Sequence, residues 1–103
     1  MKLVKIPNNN LPEEGCEAVM FIGDKTVGLF KVHGDLLALG NICPHRGGSL
    51  GEGEVTGGIV ACPWHGWEFN CRTGVAVENQ EISVKTYKIL SQSDGKYLEW
   101  NDE

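Results

Sequence analysis

Between Gly40 and Gly74 the chain places nine of its 14 glycines in 35 residues, together with two prolines. Glycine at this density removes the side chains that would pack a core and raises the entropy cost of ordering the backbone. The stretch is therefore expected to be mostly loop, ordered by something other than hydrophobic burial. A bound inorganic centre would do this. The same stretch carries Cys43, Cys62 and Cys71 with His45 and His65, leaving only Cys16 and His33 elsewhere.

The flanks read differently. Lys2 to Ile6, Ala18 to Ile22, Thr26 to Val32, Leu36 to Leu39, Val84 to Leu90 and Tyr97 to Trp100 are short runs rich in β-branched, aliphatic or aromatic residues; such runs favour strands. Gly23-Asp24-Lys25, His33-Gly34-Asp35 and Ser93-Asp94-Gly95 separate or introduce them with residues that tolerate the positive φ of tight turns. No segment holds a helical apolar period without interruption by Gly or Pro. The expected fold is all-β: an antiparallel β sandwich or small barrel with a loop-rich metal-binding subdomain inserted at about residues 40–78. The scaffold is then 1–39 and 79–103. At 103 residues there is room for one domain.

Charge and hydropathy exclude several function classes. Fourteen acidic residues against nine Lys plus Arg give a net charge of −5, which repels phosphate backbones and anionic lipid. Nucleic acid and membrane surfaces are not expected partners. No apolar run approaches the roughly 20 residues of a membrane-spanning helix. A lysine and a proline break Met1 to Pro7 before a signal-peptide core could form. A reducing cytoplasm is the expectation, and there four cysteines point to a metal or redox site rather than to disulfides.

Spacing narrows the choice. Cys43-Pro44-His45 is followed, after sixteen residues, by Cys62-Pro63-Trp64-His65, the pattern C-x-H-x16-C-x2-H. Two loops each offer one thiolate and one imidazole. Soft thiolates suit iron–sulfur clusters or zinc, and imidazole suits either metal. Zinc sites usually pair Cys at C-x2-4-C and His at H-x3-5-H, so a single residue between Cys and His is unusual for zinc.

Cys43-Pro44-His45-Arg46-Gly47-Gly48 and Cys62-Pro63-Trp64-His65-Gly66-Trp67 resemble the two ligand boxes of the Rieske [2Fe–2S] ferredoxin family. Asn41-Ile42 upstream and Arg72-Thr73-Gly74-Val75-Ala76 downstream are similar to the family as well. The resemblance implies one [2Fe–2S] cluster, with Cys43 and Cys62 on one iron and His45 and His65 on the other. Pro44 and Pro63 would fix φ beside each cysteine. Gly47, Gly48, Gly51, Gly53 and Gly66 would let backbone N–H groups turn toward the sulfurs, while Gly57 and Gly58 read as turn formers.

High-potential members of the family carry an extra cysteine in each box, joined as a disulfide, and a serine and a tyrosine hydroxyl beside the cluster. Those positions here are Gly48 and Trp64, and Trp67 and Phe69. Fewer donors to sulfur imply a potential toward the negative end of the roughly −150 to +300 mV Rieske range.

Other residues take plainer readings. His33 is a surface turn residue, Cys16 and Cys71 are buried free thiols, and Trp67, Phe69 and Trp100 belong to the core. Lys85 and Lys88 mark a solvent face. Trp64 forms either a collar around the outer histidine or packing between the boxes, and Arg46 is either a docking cation or an ordinary surface residue.

The resemblance implies a soluble one-electron carrier, without catalytic activity alone, between a flavin-containing NAD(P)H-dependent ferredoxin reductase and a terminal oxygenase, such as an aromatic-ring dioxygenase of aromatic hydrocarbon catabolism. It is expected to be monomeric and to dock transiently. A mononuclear oxygenase iron needs two histidines and a carboxylate; once His45 and His65 are used, only His33 remains. The alternatives are the small Rieske subunit of nitrite reductase or another multisubunit oxidoreductase, and a colourless zinc-stabilised binding module.

Overall fold

A computed structural model describes residues 2–43, 48–63 and 66–100. The described residues form ten strands and no α-helix: β1 (Lys2–Lys5), β2 (Glu17–Ile22), β3 (Lys25–Val32), β4 (Asp35–Gly40), β5 (Glu54–Thr56), β6 (Ile59–Ala61), β7 (Glu68–Asn70), β8 (Thr86–Tyr87), β9 (Ile89–Gln92) and β10 (Gly95–Trp100). Short 3-10 turns occupy Asn8–Asn10 and Leu50–Glu52. No helix among these residues is long and apolar enough to cross a membrane.

The strands make three antiparallel sheets, ordered β2-β3-β4-β8, β1-β10-β9 and β5-β6-β7. The first is the structural centre, because both of its faces are covered. Alternation along β3 sends Val27 and Leu29 to one side, where they pack with Ala38, Ile6, Met20, Leu98 and Trp100. Phe30 and Val32 go to the other, with Leu39, Leu50, Val60, Phe69 and Cys71. Four consecutive residues of β3, Val27 to Phe30, are buried as a result; a strand with one wet face would show polar alternation instead.

The two-residue hairpins form where turn chemistry predicted them. β2 and β3 meet at Gly23-Asp24, and β3 and β4 at His33-Gly34, whose φ angles are 51° and 81°. Both central residues of that turn are left-handed, the geometry that matches strand twist. A non-glycine residue there costs energy, and Glu14 offsets it: its carboxylate accepts the N–H groups of His33 and Gly34, each at 2.7 Å. The Gly34 and His33 amides in turn hold the Glu14 carboxyl below the usual carboxylate range.

Two expectations are corrected. The run Val84 to Leu90 is not one strand. Thr86 and Tyr87 pair with Leu39 and Ala38 of the central sheet, whereas Ile89 and Leu90 pair with Leu98 and Tyr97 of the outer sheet. The chain changes sheets at Lys88, and strand propensity is blind to which partner a strand takes. The glycine-rich middle is also more regular than expected. It folds β5, β6 and β7 into a meander turning at Gly57-Gly58, with φ of 58° and 82°. Three-residue strands are too short to show a period. The same stretch buries Leu50, Val60, Phe69 and Ala76, so apolar packing contributes directly to its order.

One glycine is required by close approach. A Cβ on Gly51 would lie 2.6 Å from Val19 Cγ2 and 2.7 Å from the Ala18 carbonyl oxygen. The Leu50–Glu52 turn therefore rests directly on β2. Gly51→Ala should destabilise the holoprotein by about 1–3 kcal/mol in urea unfolding; a change below about 0.5 kcal/mol, the range of neutral surface substitutions, would contradict this packing.

Candidate metal centre

Cys43 and Cys62 each stand at the end of an antiparallel stem, and the two stems are built alike. In the first, Leu50 N–H donates to the Asn41 carbonyl at 2.8 Å, Ile42 and Ser49 form an antiparallel bridge, and Cys43 N–H donates to the Gly48 carbonyl at 2.8 Å. In the second, β6 and β7 pair Ala61 with Glu68, and the next rung is Cys62 N–H donating to the Trp67 carbonyl at 2.6 Å. Each cysteine closes a stem against the residue five positions on, leaving four residues between them in sequence. The unequal spacings C-x-H and C-x2-H conceal this likeness, because the two histidines fall at different sequence positions between the closing residues.

Cys43 is 1% exposed and Cys62 is 2% exposed. Neither is in a disulfide, and both belong to the apolar cluster that includes Phe30, Leu50 and Phe69. Paired soft sulfur donors, buried and fixed at the last rung of two closed hairpins, fit a site whose inner metal is ligated by thiolate. His45 and His65 lie outside the described residues. So do Pro44, Arg46, Gly47 and Trp64, and with them the collar and docking readings of Trp64 and Arg46.

The backbone donors differ from expectation. Gly51 N–H donates to Asn41 Oδ1 at 2.6 Å, Gly53 N–H to the Leu50 carbonyl at 3.0 Å, and Gly66 N–H to the Cys62 carbonyl at 3.2 Å. These three amides are satisfied by protein acceptors rather than turned toward sulfur. A glycine reads the same in sequence whether it frees an amide for a ligand or admits a neighbouring strand. Trp67 packs against the apolar cluster, and Phe69 is fully buried within it.

The two remaining cysteines separate. Cys71 is 1% exposed, and burial pushes its thiol up to about 11, with Arg72 acting weakly in the opposite direction. Cys16 is exposed, contrary to the expectation of a buried thiol. It precedes the edge strand β2, where Cys16 N–H bonds the Glu13 carbonyl and its own carbonyl accepts Lys31 N–H; its backbone is engaged while its side chain faces solvent. His33 is exposed in its turn, as expected.

Sequence reading did not single out Asn41, the one buried polar side chain among the described residues, 3% exposed. Its signal was available in principle: an amide-bearing residue two positions before the first box cysteine, at the end of an apolar strand.

The family model that matches the chain is the Rieske [2Fe–2S] domain, over residues 2–88. The chain belongs to the Rieske [2Fe–2S] domain family. As a Rieske domain it carries one [2Fe–2S] cluster. Among curated relatives it is 44% identical over 91 residues to apoptosis-inducing factor 3 of Mus musculus, covering 74% of this chain and 15% of that protein. It is 31% identical over 77 residues to the ferredoxin component of the alkene monooxygenase system of Xanthobacter autotrophicus, covering 74% of this chain and 63% of the relative. This Rieske domain thus spans less than two thirds of the length of either relative. Among solved structures, the Sphingomonas yanoikuyae B1 ferredoxin superimposes with a TM-score of 0.77 at 26% identity, covering 95% of this chain and 94% of that one.

Thiol alkylation depends on the thiolate. Iodoacetamide at about pH 8 should therefore modify the native holoprotein once, at Cys16, and Cys16→Ser should abolish the adduct. Rapid modification of Cys71 under the same conditions would contradict its burial.

Proposed function

We propose that the chain is a one-electron carrier whose cluster is held by Cys43 and Cys62 on one iron and His45 and His65 on the other, within a cluster-binding part at about residues 40–78. The observation that carries this reading is the pair of matched stems, each closed by the amide of a buried cysteine. A bound cluster supplies reversible one-electron chemistry. The protein's own contribution is to seat the cysteine sulfurs away from water and to hold both tips on rigid stems, so little reorganisation accompanies transfer.

The electron donor we propose is a flavin-containing NAD(P)H-dependent reductase and the acceptor a terminal oxygenase. The similarity to the ferredoxin component of an alkene monooxygenase system supports the oxygenase side. Exposed Ile42 immediately precedes Cys43, and exposed Val77 donates its N–H to the carbonyl of Glu68 beside Trp67. Glu52, Glu54, Glu68 and Glu78 are exposed in the same part of the chain. Small apolar contacts within an acidic surface suit brief docking to a basic or mixed face. The large exposed apolar side chains among the described residues, Leu3, Phe21, Ile42 and Val77, sit on separate elements, which favours a carrier over a permanently buried subunit.

Trp67 and Phe69 offer no hydroxyl to sulfur, and the amides of Gly51, Gly53 and Gly66 are already engaged. Added electron density is then weakly stabilised, and the potential belongs at the low end of the family's range. Protein-film voltammetry should place it below about +100 mV; a higher value would refute this account of the donors.

His45→Ala and His65→Ala should each abolish the reduced-state Rieske electron paramagnetic resonance signal, because an open iron position invites hydrolysis and loss. An unchanged spectrum in either variant would overturn the ligand assignment. Stoichiometric co-purification with one large chain from native extract would replace the free carrier by a subunit role.

A further inference from the structure

The carboxamide of Asn41 makes three hydrogen bonds, each reaching a different part of the fold. Nδ2 donates to Thr26 Oγ1 at 3.1 Å, on β3, and to Ser49 Oγ at 2.9 Å, on the returning arm of the first hairpin. Oδ1 accepts Gly51 N–H at 2.6 Å, in the 3-10 turn that rests on β2. The Asn41 carbonyl adds a fourth link by accepting Leu50 N–H at 2.8 Å. Both amide hydrogens and the oxygen are used, so the rotation and flip state of the side chain are defined by its partners.

The space for this group is made by glycines. A Cβ on Gly28 would lie 3.3 Å from Asn41 Oδ1, and one on Gly51 would lie 3.0 Å from it. The pocket is shaped to a planar amide, and its hydrogen bonds tie both arms of the first hairpin to the central sheet. Asn41 stands two residues before Cys43, and Ser49 follows Gly48, whose carbonyl closes the stem on the Cys43 amide. The second hairpin is anchored differently: its stem is a direct continuation of the β6–β7 ladder.

We propose that Asn41 is a positioning residue for the cluster: its buried amide clasps the two arms of the first hairpin to β3, and thereby sets where Cys43 presents its sulfur. The inference rests on the reading of Cys43 as an iron ligand. An apolar residue of similar volume would fill the pocket, but it would leave the buried Gly51 N–H without its acceptor and take the shared donor from the half-buried Thr26 and Ser49 hydroxyls, and the stem would shift to recover them. Groups one step removed from a metal commonly alter affinity by 10–100-fold through the ligands they orient.

The test compares Asn41→Ala with Met20→Ala in the full-length holoprotein. Met20 is buried on the opposite face of the central sheet, so its truncation weakens the fold without touching the hairpin. In Asn41→Ala the g-values of the reduced cluster and its midpoint potential should move, and iron should be lost to a ferrous chelator about tenfold faster than in Met20→Ala. If the two variants share spectrum, potential and loss rate, Asn41 is merely structural and the proposal fails. Should Asn41→Ala not fold, Ser49→Ala and Thr26→Val each delete a single acceptor; a moved g-value set in Ser49→Ala supports the clasp, and wild-type spectra in both variants overturn it. Cys43→Ser is the separate check on the underlying reading: a retained wild-type signal there rejects Cys43 as a ligand, whatever Asn41 does.

Discussion

A sheet that is buried on both faces makes a demanding support. Every side chain of β3 from Val27 to Phe30 is enclosed, and its odd and even positions answer to different neighbours. Val27 and Leu29 hold the outer sheet of β1, β10 and β9, while Phe30 and Val32 hold the layer that contains Cys43 and Cys62. A slip of one residue in the register of β3 with β4 would exchange the two sets and unseat both layers together. The turn at His33-Gly34 guards against that slip, and the carboxylate of Glu14 secures the turn.

From that support the chain projects two antiparallel stems, each ending at a cysteine. Their cysteines lie inward at the last backbone rung, and the box histidines lie beyond it in sequence. This ordering suits a centre in which one metal is to be shielded and the other is to exchange electrons with a partner. It also explains why the surrounding layer is apolar. Leu50, Val60 and Phe69 exclude water from the two cysteines without supplying further hydrogen-bond donors. Cys71 shares the cluster of buried residues and remains a protonated, inert thiol because the same dryness that suits an iron-bound sulfur penalises an unligated anion.

Much of this was legible from residue types. The long flanking strands and their two-residue turns announce themselves through propensity, and the family through the spacing of Cys43, His45, Cys62 and His65. The short meander at residues 54–70 did not, because three residues cannot display alternation, although its glycines at 57 and 58 do make the turn read for them. The change of sheet at Lys88 was hidden because strand propensity says nothing about partners. Asn41 was hidden for another reason: a single amide becomes important only when Thr26, Ser49 and Gly51, scattered over 26 residues, converge on it. Glycine roles were read too uniformly. Gly51 is there because Val19 and the Ala18 carbonyl approach it, a fact about a neighbouring strand and not about a ligand.

In the outer sheet, β1 runs antiparallel to β10, with Lys2 opposite Trp100. These two strands pack on the face of β3 away from the cysteine-bearing layer. Fraying of the Lys2–Trp100 rung therefore loosens the outer sheet first, and reaches Cys43 and Cys62 only through the central sheet that separates the two cores.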